Sequence, residues 1–256
     1  MCVPKEIVLR FQWYDLCDWV EMNINSYKSS AKKNWFYRLF KRAFDIVFST
    51  ILLILSSPIW VITIIGIKIS SPGPVFYIAN RVGLGGELFS MYKFRSMHID
   101  KNADERSLRP EQVRIFKYGQ FIRNVKIDEL PQVLNVLLGQ MTVVGPRPAA
   151  KDQASITRSG KYQILNSIKP GLTSPSAIYD YIFGDKLINE NDYERMVLPT
   201  RLALDLYYVQ NQAFFYDLKI MSYTGFCIIT RLFRVSPKFI LDRLLSNLKS
   251  FENNTI

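Results

Sequence analysis

Hydrophobic positions in this chain gather into one long block and several short periodic runs, and the block is the stronger signal. Residues 43–67 read AFDIVFSTILLILSSPIWVITIIGI. About 25 residues at roughly 1.5 Å each reach roughly 37 Å as a straight helix, enough to cross a bilayer. Ser56-Ser57-Pro58 lies at the midpoint, where proline removes a backbone hydrogen bond and crowds the preceding turn. Lys41 and Arg42 flank one end and Lys68 the other, so the positive-inside rule prefers neither orientation. Three readings fit this pattern. They are a plain transmembrane helix, a re-entrant helix that enters one leaflet, breaks at Ser57-Pro58 and returns, and a buried helix of a soluble core. In the re-entrant form, serine hydroxyls or a neighbouring element cover the carbonyls that proline frees.

Ser71-Pro72-Gly73-Pro74 then gives a stop-and-turn signal. Residues 75–78 and 88–92 read as short strands of a hairpin around a loop holding Gly83, Gly85 and Gly86. The pattern predicts helices over 112–123, 130–138 and 201–215. A tight loop, Gly145-Pro146-Arg147-Pro148, is fixed in extended geometry by its prolines. Residues 216–233 are apolar with Lys219 and Arg231 at the edges, too short an uncharged run to span a membrane. They read as an amphipathic helix at a membrane surface.

A content of 48% apolar and 14% aromatic residues in 256 excludes a disordered chain. Three separated cysteines, Cys2, Cys17 and Cys227, form no metal or redox motif and point to a reducing, cytoplasm-facing protein without disulfides. His98 is the sole histidine and reads as a polar strand-end residue, which removes histidine-based triads and multi-histidine metal sites. Residues 1–35 lack the apolar core of a secretory signal. The net charge of +11 favours anionic partners, although the aromatic residues form no stacking platform for nucleic acid.

Catalysis, if present, therefore rests on carboxylates, and Lys126-Ile127-Asp128-Glu129-Leu130-Pro131-Gln132 places two adjacent acids at an expected helix start in a basic protein. Helix capping explains Asp128 and Glu129 without any chemistry. A helix start also suits phosphate binding, and a carboxylate among arginines is expected to stay ionised and able to attack. Arg123 and Arg147 carry guanidinium forks suited to phosphate, with Arg147 held between two prolines. Lys93 and Arg95 alternate with Tyr92, Phe94 and Met97 as a strand with a basic face, for which a solvated face is the plain explanation. Gly83-Leu84-Gly85-Gly86 matches neither a P-loop nor a dinucleotide fingerprint.

Taken in order, Lys41-Arg42-Ala43-Phe44-Asp45, Ser57-Pro58, Ser71-Pro72-Gly73-Pro74-Val75-Phe76, residues 92–97, Asp128-Glu129-Leu130-Pro131-Gln132, Gly145-Pro146-Arg147-Pro148, Lys169-Pro170-Gly171-Leu172-Thr173 and Tyr207-Tyr208-Val209 resemble the bacterial sugar transferase family. These are the monotopic polyprenyl-phosphate phosphoglycosyl transferases, and the resemblance covers residues 36–233. It implies transfer of a sugar 1-phosphate from a UDP-sugar to undecaprenyl phosphate with release of UMP, at the cytoplasmic face of the bacterial inner membrane. The product starts a surface glycan. It further implies that Asp128 attacks the donor β-phosphorus to form a covalent phosphosugar, that Glu129 assists, and that both acids hold Mg²⁺. Lys93, Arg123 and Arg147 are the implied phosphate and nucleotide contacts, with Arg95 a further candidate. The same resemblance favours the re-entrant helix, broken at Ser57 and Pro58. The expected fold is α+β: a 1–35 extension of unknown role, a membrane-embedded re-entrant helix over 36–70, and a small mixed α/β cytoplasmic catalytic domain over 71–256 with amphipathic interfacial helices. Expected partners are the UDP-sugar, undecaprenyl phosphate and membrane lipids, with no nucleic acid and with homodimerisation left open.

Two departures from the family pattern stand out. Lys126 occupies a position usually held by a small hydroxyl residue, and Ser174-Pro175-Ser176-Ala177-Ile178 replaces a Gly-Leu-Ala-Gln-Val run. Other functions remain open at this level: a non-catalytic scaffold holding polyprenyl carriers, a basic nucleic-acid binder, and an ordinary glycosyltransferase releasing UDP.

Overall fold

The computed structural model describes residues 35–99, 114–183, 193, 197–233, 235 and 237–253. Its elements are α1 (Trp35–Ser70), β1 (Phe76–Val82), β2 (Leu88–Phe94), α2 (Lys117–Asn124), a 3₁₀ turn (Ile127–Glu129), α3 (Gln132–Leu137), β3 (Thr142–Val144) and β4 (Ala149–Ala150). There follow the single turn α4 (Ala154–Thr157), a 3₁₀ segment (Gly160–Ser167), β5 (Gly171–Thr173), α5 (Pro175–Ile182), α6 (Leu198–Gln210), α7 (Phe214–Leu232) and α8 (Lys238–Asn253). The α+β expectation holds. The N-terminal extension and residues 112–113 of the expected first helix lie outside the described residues.

In α1 the usual order of inside and outside is reversed. Its buried residues are Asp45, Ser49, Ser56, Thr63 and Ile67, spaced as one helical face, while Ile51, Ile54, Leu55, Val61, Ile62, Ile65 and Ile69 are exposed. Only 17% of its most apolar window is buried, so the reading of a soluble core helix fails. An exposed apolar face of this size belongs in lipid or against a partner. Helical backbone continues through Pro58. The expected break is one missing backbone bond rather than a non-helical segment: Pro58 has no N–H for the Ile54 carbonyl, and the Ser57 hydroxyl donates to that carbonyl instead, at 2.8 Å.

Both halves of α1 dock on the globular part. Near the N-terminus, Asp45 accepts from Thr142 Oγ1 at 2.7 Å and from the Val143 N–H at 3.0 Å, tying α1 to β3. Arg42 donates to the Val136 and Leu137 carbonyls at 2.6 and 2.8 Å, capping the end of α3. Lys41 pairs with Asp217 of α7, and both contact the Tyr208 hydroxyl of α6. Near the C-terminus, Ile67 joins a small core with Phe94, Phe116 and Ile122, against which Trp60 and Ile64 pack. A Cβ at Gly66 would meet the Tyr118 ring at 2.5 Å, so the ring would have to shift to accommodate any other residue there.

β1 and β2 form the expected antiparallel hairpin, in register from Phe76 opposite Phe94 to Val82 opposite Leu88, and β4 adds a third strand beside β1. β3 and β5 form a separate parallel pair. Period-two alternation gives the hairpin two faces. Phe94 turns to the small core, whereas Ala79 and Met91 turn to the main core shared with α5, α6 and α8. Asn135 staples α3 to β2, accepting from the Tyr92 N–H at 3.0 Å and donating to the Ser90 carbonyl at 2.7 Å.

The helix expected over 201–215 is instead α6, ending at Gln210, where the Asn211 side-chain amide takes the Tyr207 carbonyl at 3.0 Å. α7 then exposes Phe215, Phe226, Ile229 and Leu232 and buries Asp217 and Thr230, an apolar outer face like that of α1. α8 was not anticipated and buries Ile240, Leu241, Leu244 and Leu248 in the main core.

Candidate active site

The acid pair sits where the two cores meet. Ile127 and Leu130 pack against the small core, and Val136, one turn into α3, belongs to the main one. The chain reverses after α2 through Lys126, which has φ 60° and ψ 18°. Among the described residues it alone combines a positive φ with a side chain. A left-handed lysine costs about 1–2 kcal/mol, and such strain gathers at functional sites. Its ammonium lies 4.8 Å from the centre of the Tyr181 ring, and the Tyr181 hydroxyl donates to the Asn124 carbonyl at 2.7 Å. Neither acid caps a helix as expected: both lie in the 3₁₀ turn, Pro131 occupies the N-cap of α3, and no side chain bonds there.

Glu129 collects the cations. Lys93 Nζ is 3.0 Å from Glu129 Oε1, and Arg147 Nη2 is 3.9 Å from the same atom. Burial alone would raise the Glu129 pKa, but Lys93, Lys126 and Arg147, with the Lys93 hydrogen bond, hold it well below the usual carboxylate range. Asp128 is buried, and its Oδ1 has no hydrogen-bond partner among the described residues. Its pKa is raised, chiefly by burial and further by the Glu129 charge, against the pull of Lys93, Lys126 and Arg123. Burial and the neighbouring charge thus work against the ionisation of Asp128 that the surrounding cations favour.

Of the expected contacts, Lys93 and Arg147 converge on the acids. Arg123 lies close enough to lower the Asp128 pKa, with its guanidinium 3.5 Å from Ser96 Oγ. Arg95 does not join them. β2 ends at Phe94, alternation stops with it, and the Arg95 guanidinium is buried against Ser71 Oγ and the Ser71 and Pro72 carbonyls, at the end of α1. His98 also faces that turn, 3.1 Å from Ser71 Oγ.

Two further residues complete the arrangement. Asp180 Oδ2 is 3.8 Å from Arg147 Nε, and Asp180 Oδ1 accepts from the Tyr193 hydroxyl at 2.8 Å. Arg147 and Arg201 overcome burial and keep Asp180 below its usual pKa. Arg81 of β1 shares the hairpin face of Lys93, and its pKa is lowered by burial and then by the Arg147 charge, two cations held together. The signal for Arg81 was its even spacing from Tyr77, the residue opposite Lys93. Asp180 lies just beyond the Ser174–Ile178 departure, in Tyr179-Asp180-Tyr181, a position that set the region apart without showing its contact with Arg147.

No cluster of three or more His, Cys, Asp or Glu residues suited to a metal occurs among the described residues. Mg²⁺ is commonly held by one or two carboxylates, with water and substrate phosphate completing the shell. Asp128 and Glu129 match that donor set.

Fold and site together define an α+β domain carried on an outward-apolar helix, with a buried Asp128 beside a half-buried Glu129 in a cationic setting suited to anionic substrates. The description "Bacterial sugar transferase" matches residues 36–231, and the chain belongs to that family. It is 38% identical over 192 residues to the UDP-glucose:undecaprenyl-phosphate glucose-1-phosphate transferase of Klebsiella pneumoniae, covering 73% of this chain and 40% of that protein. It is 37% identical to the uncharacterized sugar transferase EpsL of Bacillus subtilis, covering 73% of this chain and 85% of that one. For the exopolysaccharide production protein ExoY of Rhizobium meliloti the identity is 35%, over 72% and 83%.

Proposed function

We propose that this protein transfers a sugar 1-phosphate from a UDP-sugar to undecaprenyl phosphate, giving a polyprenyl diphosphate sugar and UMP. The observation that carries the proposal is the buried Asp128 carboxylate, with an unpartnered oxygen, beside a second acid already neutralised by Lys93 and Arg147. An Asp128 oxygen attacks the donor β-phosphorus, and the bond from that phosphorus to the bridging oxygen breaks, sending the electron pair out with UMP. A phosphate oxygen of the lipid then attacks the same phosphorus, and Asp128 leaves as the carboxylate. Lys93, Arg147 and Arg81 offset the charge that builds as two anions meet. Glu129 anchors Lys93 and Arg147 on the side next to the nucleophile. Mg²⁺ held by Asp128 and Glu129 would supply further neutralisation of the phosphate oxygens.

The outward-apolar α1 and α7 support a membrane site, with α1 re-entering one leaflet so that both its ends stay on the cytoplasmic side of the inner membrane. Docking of both halves of α1 on one globular part supports that geometry. The lipid tail then stays in the bilayer while its phosphate reaches the acids. The test is to supply UDP-sugars, undecaprenyl phosphate and Mg²⁺ to the detergent-purified protein and identify the nucleotide released. UMP that depends on lipid and Asp128 is expected. UDP would mean simple glycosyl transfer and overturn the assignment.

A further inference from the structure

The Arg147 guanidinium stands between two carboxylates carried on different elements. Its Nη2 is 3.9 Å from Glu129 Oε1 in the 3₁₀ turn, and its Nε is 3.8 Å from Asp180 Oδ2 on α5. Both distances are those of ion pairs and not of hydrogen bonds, whereas a guanidinium closed on a carboxylate normally reaches about 2.7–2.9 Å. Glu129 Oε1 is also shared with Lys93, at 3.0 Å. Asp180 is itself anchored. Its Oδ1 accepts from the Tyr193 hydroxyl at 2.8 Å, and that hydroxyl accepts in turn from Arg201 Nη1 of α6 at 2.5 Å. Tyr193 and Arg201 are both buried, and Tyr193 belongs to the main core. The anchor thus holds one oxygen of Asp180 and leaves Oδ2 to reach Arg147.

We propose that Asp180, anchored by Tyr193 and Arg201, is a positioning residue that keeps Arg147 from closing onto Glu129 and so holds its guanidinium ready for the diphosphate of the nucleotide donor. The inference rests on the donor-binding role given to Arg147 above. The pull of one carboxylate offsets the pull of the other, and incoming phosphate oxygens replace two long contacts with short, charge-assisted ones. Without the Asp180 charge, Arg147 is drawn onto Glu129, and the donor must break that pair before it binds. The anchor matters for the same reason, since an Asp180 able to turn would close on Arg147 itself. The proposal fixes a sign. Removing a negative charge beside an anionic ligand tightens binding by electrostatics alone, whereas losing a positioning carboxylate weakens it.

The experiment is a double-mutant cycle read by calorimetry with UDP, which carries both donor phosphates but no sugar to transfer. The full chain in detergent with Mg²⁺ is compared with Asp180→Asn, which removes the charge and keeps an acceptor for Tyr193, and with Tyr193→Phe, which removes only the anchoring hydroxyl. Each is made alone and in an Arg147→Gln background. Each single change is expected to weaken UDP binding by about fivefold or more, and by less than about twofold once Arg147 is Gln. Unchanged or tighter UDP binding in Asp180→Asn would overturn the proposal, as would equal losses in both backgrounds. If Asp180→Asn does not fold, Tyr193→Phe decides the question alone. Unchanged UDP affinity in Arg147→Gln by itself would remove the donor-binding role on which the inference rests. Release of UDP rather than UMP in turnover would contradict the proposed reaction, while the UDP-binding cycle would still decide the role of Asp180.

Discussion

Replacing Lys93 by Met removes the ammonium 3.0 Å from Glu129 and leaves a carboxylate with little solvent to stabilise it. The two side chains are 19% and 15% exposed, so screening is limited. Breaking a buried pair by deleting one partner costs about 3–5 kcal/mol. At roughly 2–4 °C per kcal/mol for a domain of this size, the melting temperature should fall by on the order of 10 °C near pH 7. The loss should depend on pH in a defined direction. Lys93 is the largest of the influences that depress the Glu129 pKa, so the stabilisation it brings is present above the usual glutamate range and fades as pH falls through the depressed value. In the variant Glu129 protonates at higher pH, and the gap between variant and wild type should narrow below about pH 4.5. Scanning calorimetry or intrinsic fluorescence of both proteins in one detergent, from about pH 2.5 to 8, measures this. A gap under about 1 kcal/mol, or one that does not change with pH, would refute the view that Glu129 is held ionised chiefly by Lys93.

Asp45→Ala should destabilise the protein by about 2–4 kcal/mol, since Thr142 Oγ1 and the Val143 N–H lose a buried acceptor, and a melting temperature within about 2 °C of wild type would contradict this. Asp205 has a folded pKa of about 6 against 3.8 as its ordinary value, so it adds stability below pH 4 that disappears as pH rises through 6. Wild-type stability relative to Asp205→Asn should therefore fall by on the order of 3 kcal/mol between pH 4 and 7 in denaturant titrations, and a constant difference would count against that carboxyl. Cysteines placed at Phe40 and Ile69, near the two ends of α1, should both react with an impermeant maleimide in inside-out vesicles. Reaction of only one end would establish a spanning helix. Phe215→Glu on the exposed face of α7 should shift protein from membrane to soluble fractions in an α1-weakened background such as Ile62→Glu, and no shift would remove α7 from the interface.

Much of the fold was legible in local pattern. The hairpin showed in two short strands around a glycine loop, and the long apolar block showed α1, because a run of that length has few alternatives. What sequence did not show was the inverted burial of α1, since its inward Ser49, Ser56 and Thr63 are recognisable only once the domain lies against that face. The acid pair was visible as two carboxylates in a basic chain, yet their unequal states depend on which acid Lys93 reaches, a contact between residues 36 positions apart. Arg95 shows the limit of alternation, which predicted a shared face with Lys93 but could not locate the end of β2 at Phe94. The contacts of Asp180 and Asp205 were hidden for a related reason: their partners lie on other elements, and only the packed fold brings Asp180 to Arg147 and Asp205 to Ser176.

The central claim is a covalent phosphosugar on Asp128, and intact-protein mass spectrometry after mixing with a UDP-sugar and Mg²⁺, without lipid acceptor, tests it most directly. The account predicts a mass increase of one sugar phosphate per chain, located on the peptide containing Asp128, matched by an equal amount of UMP, absent in Asp128→Asn, and discharged by undecaprenyl phosphate. UMP formed only when lipid is present, with no adduct at any time, would contradict it and require direct attack of the lipid phosphate on the donor.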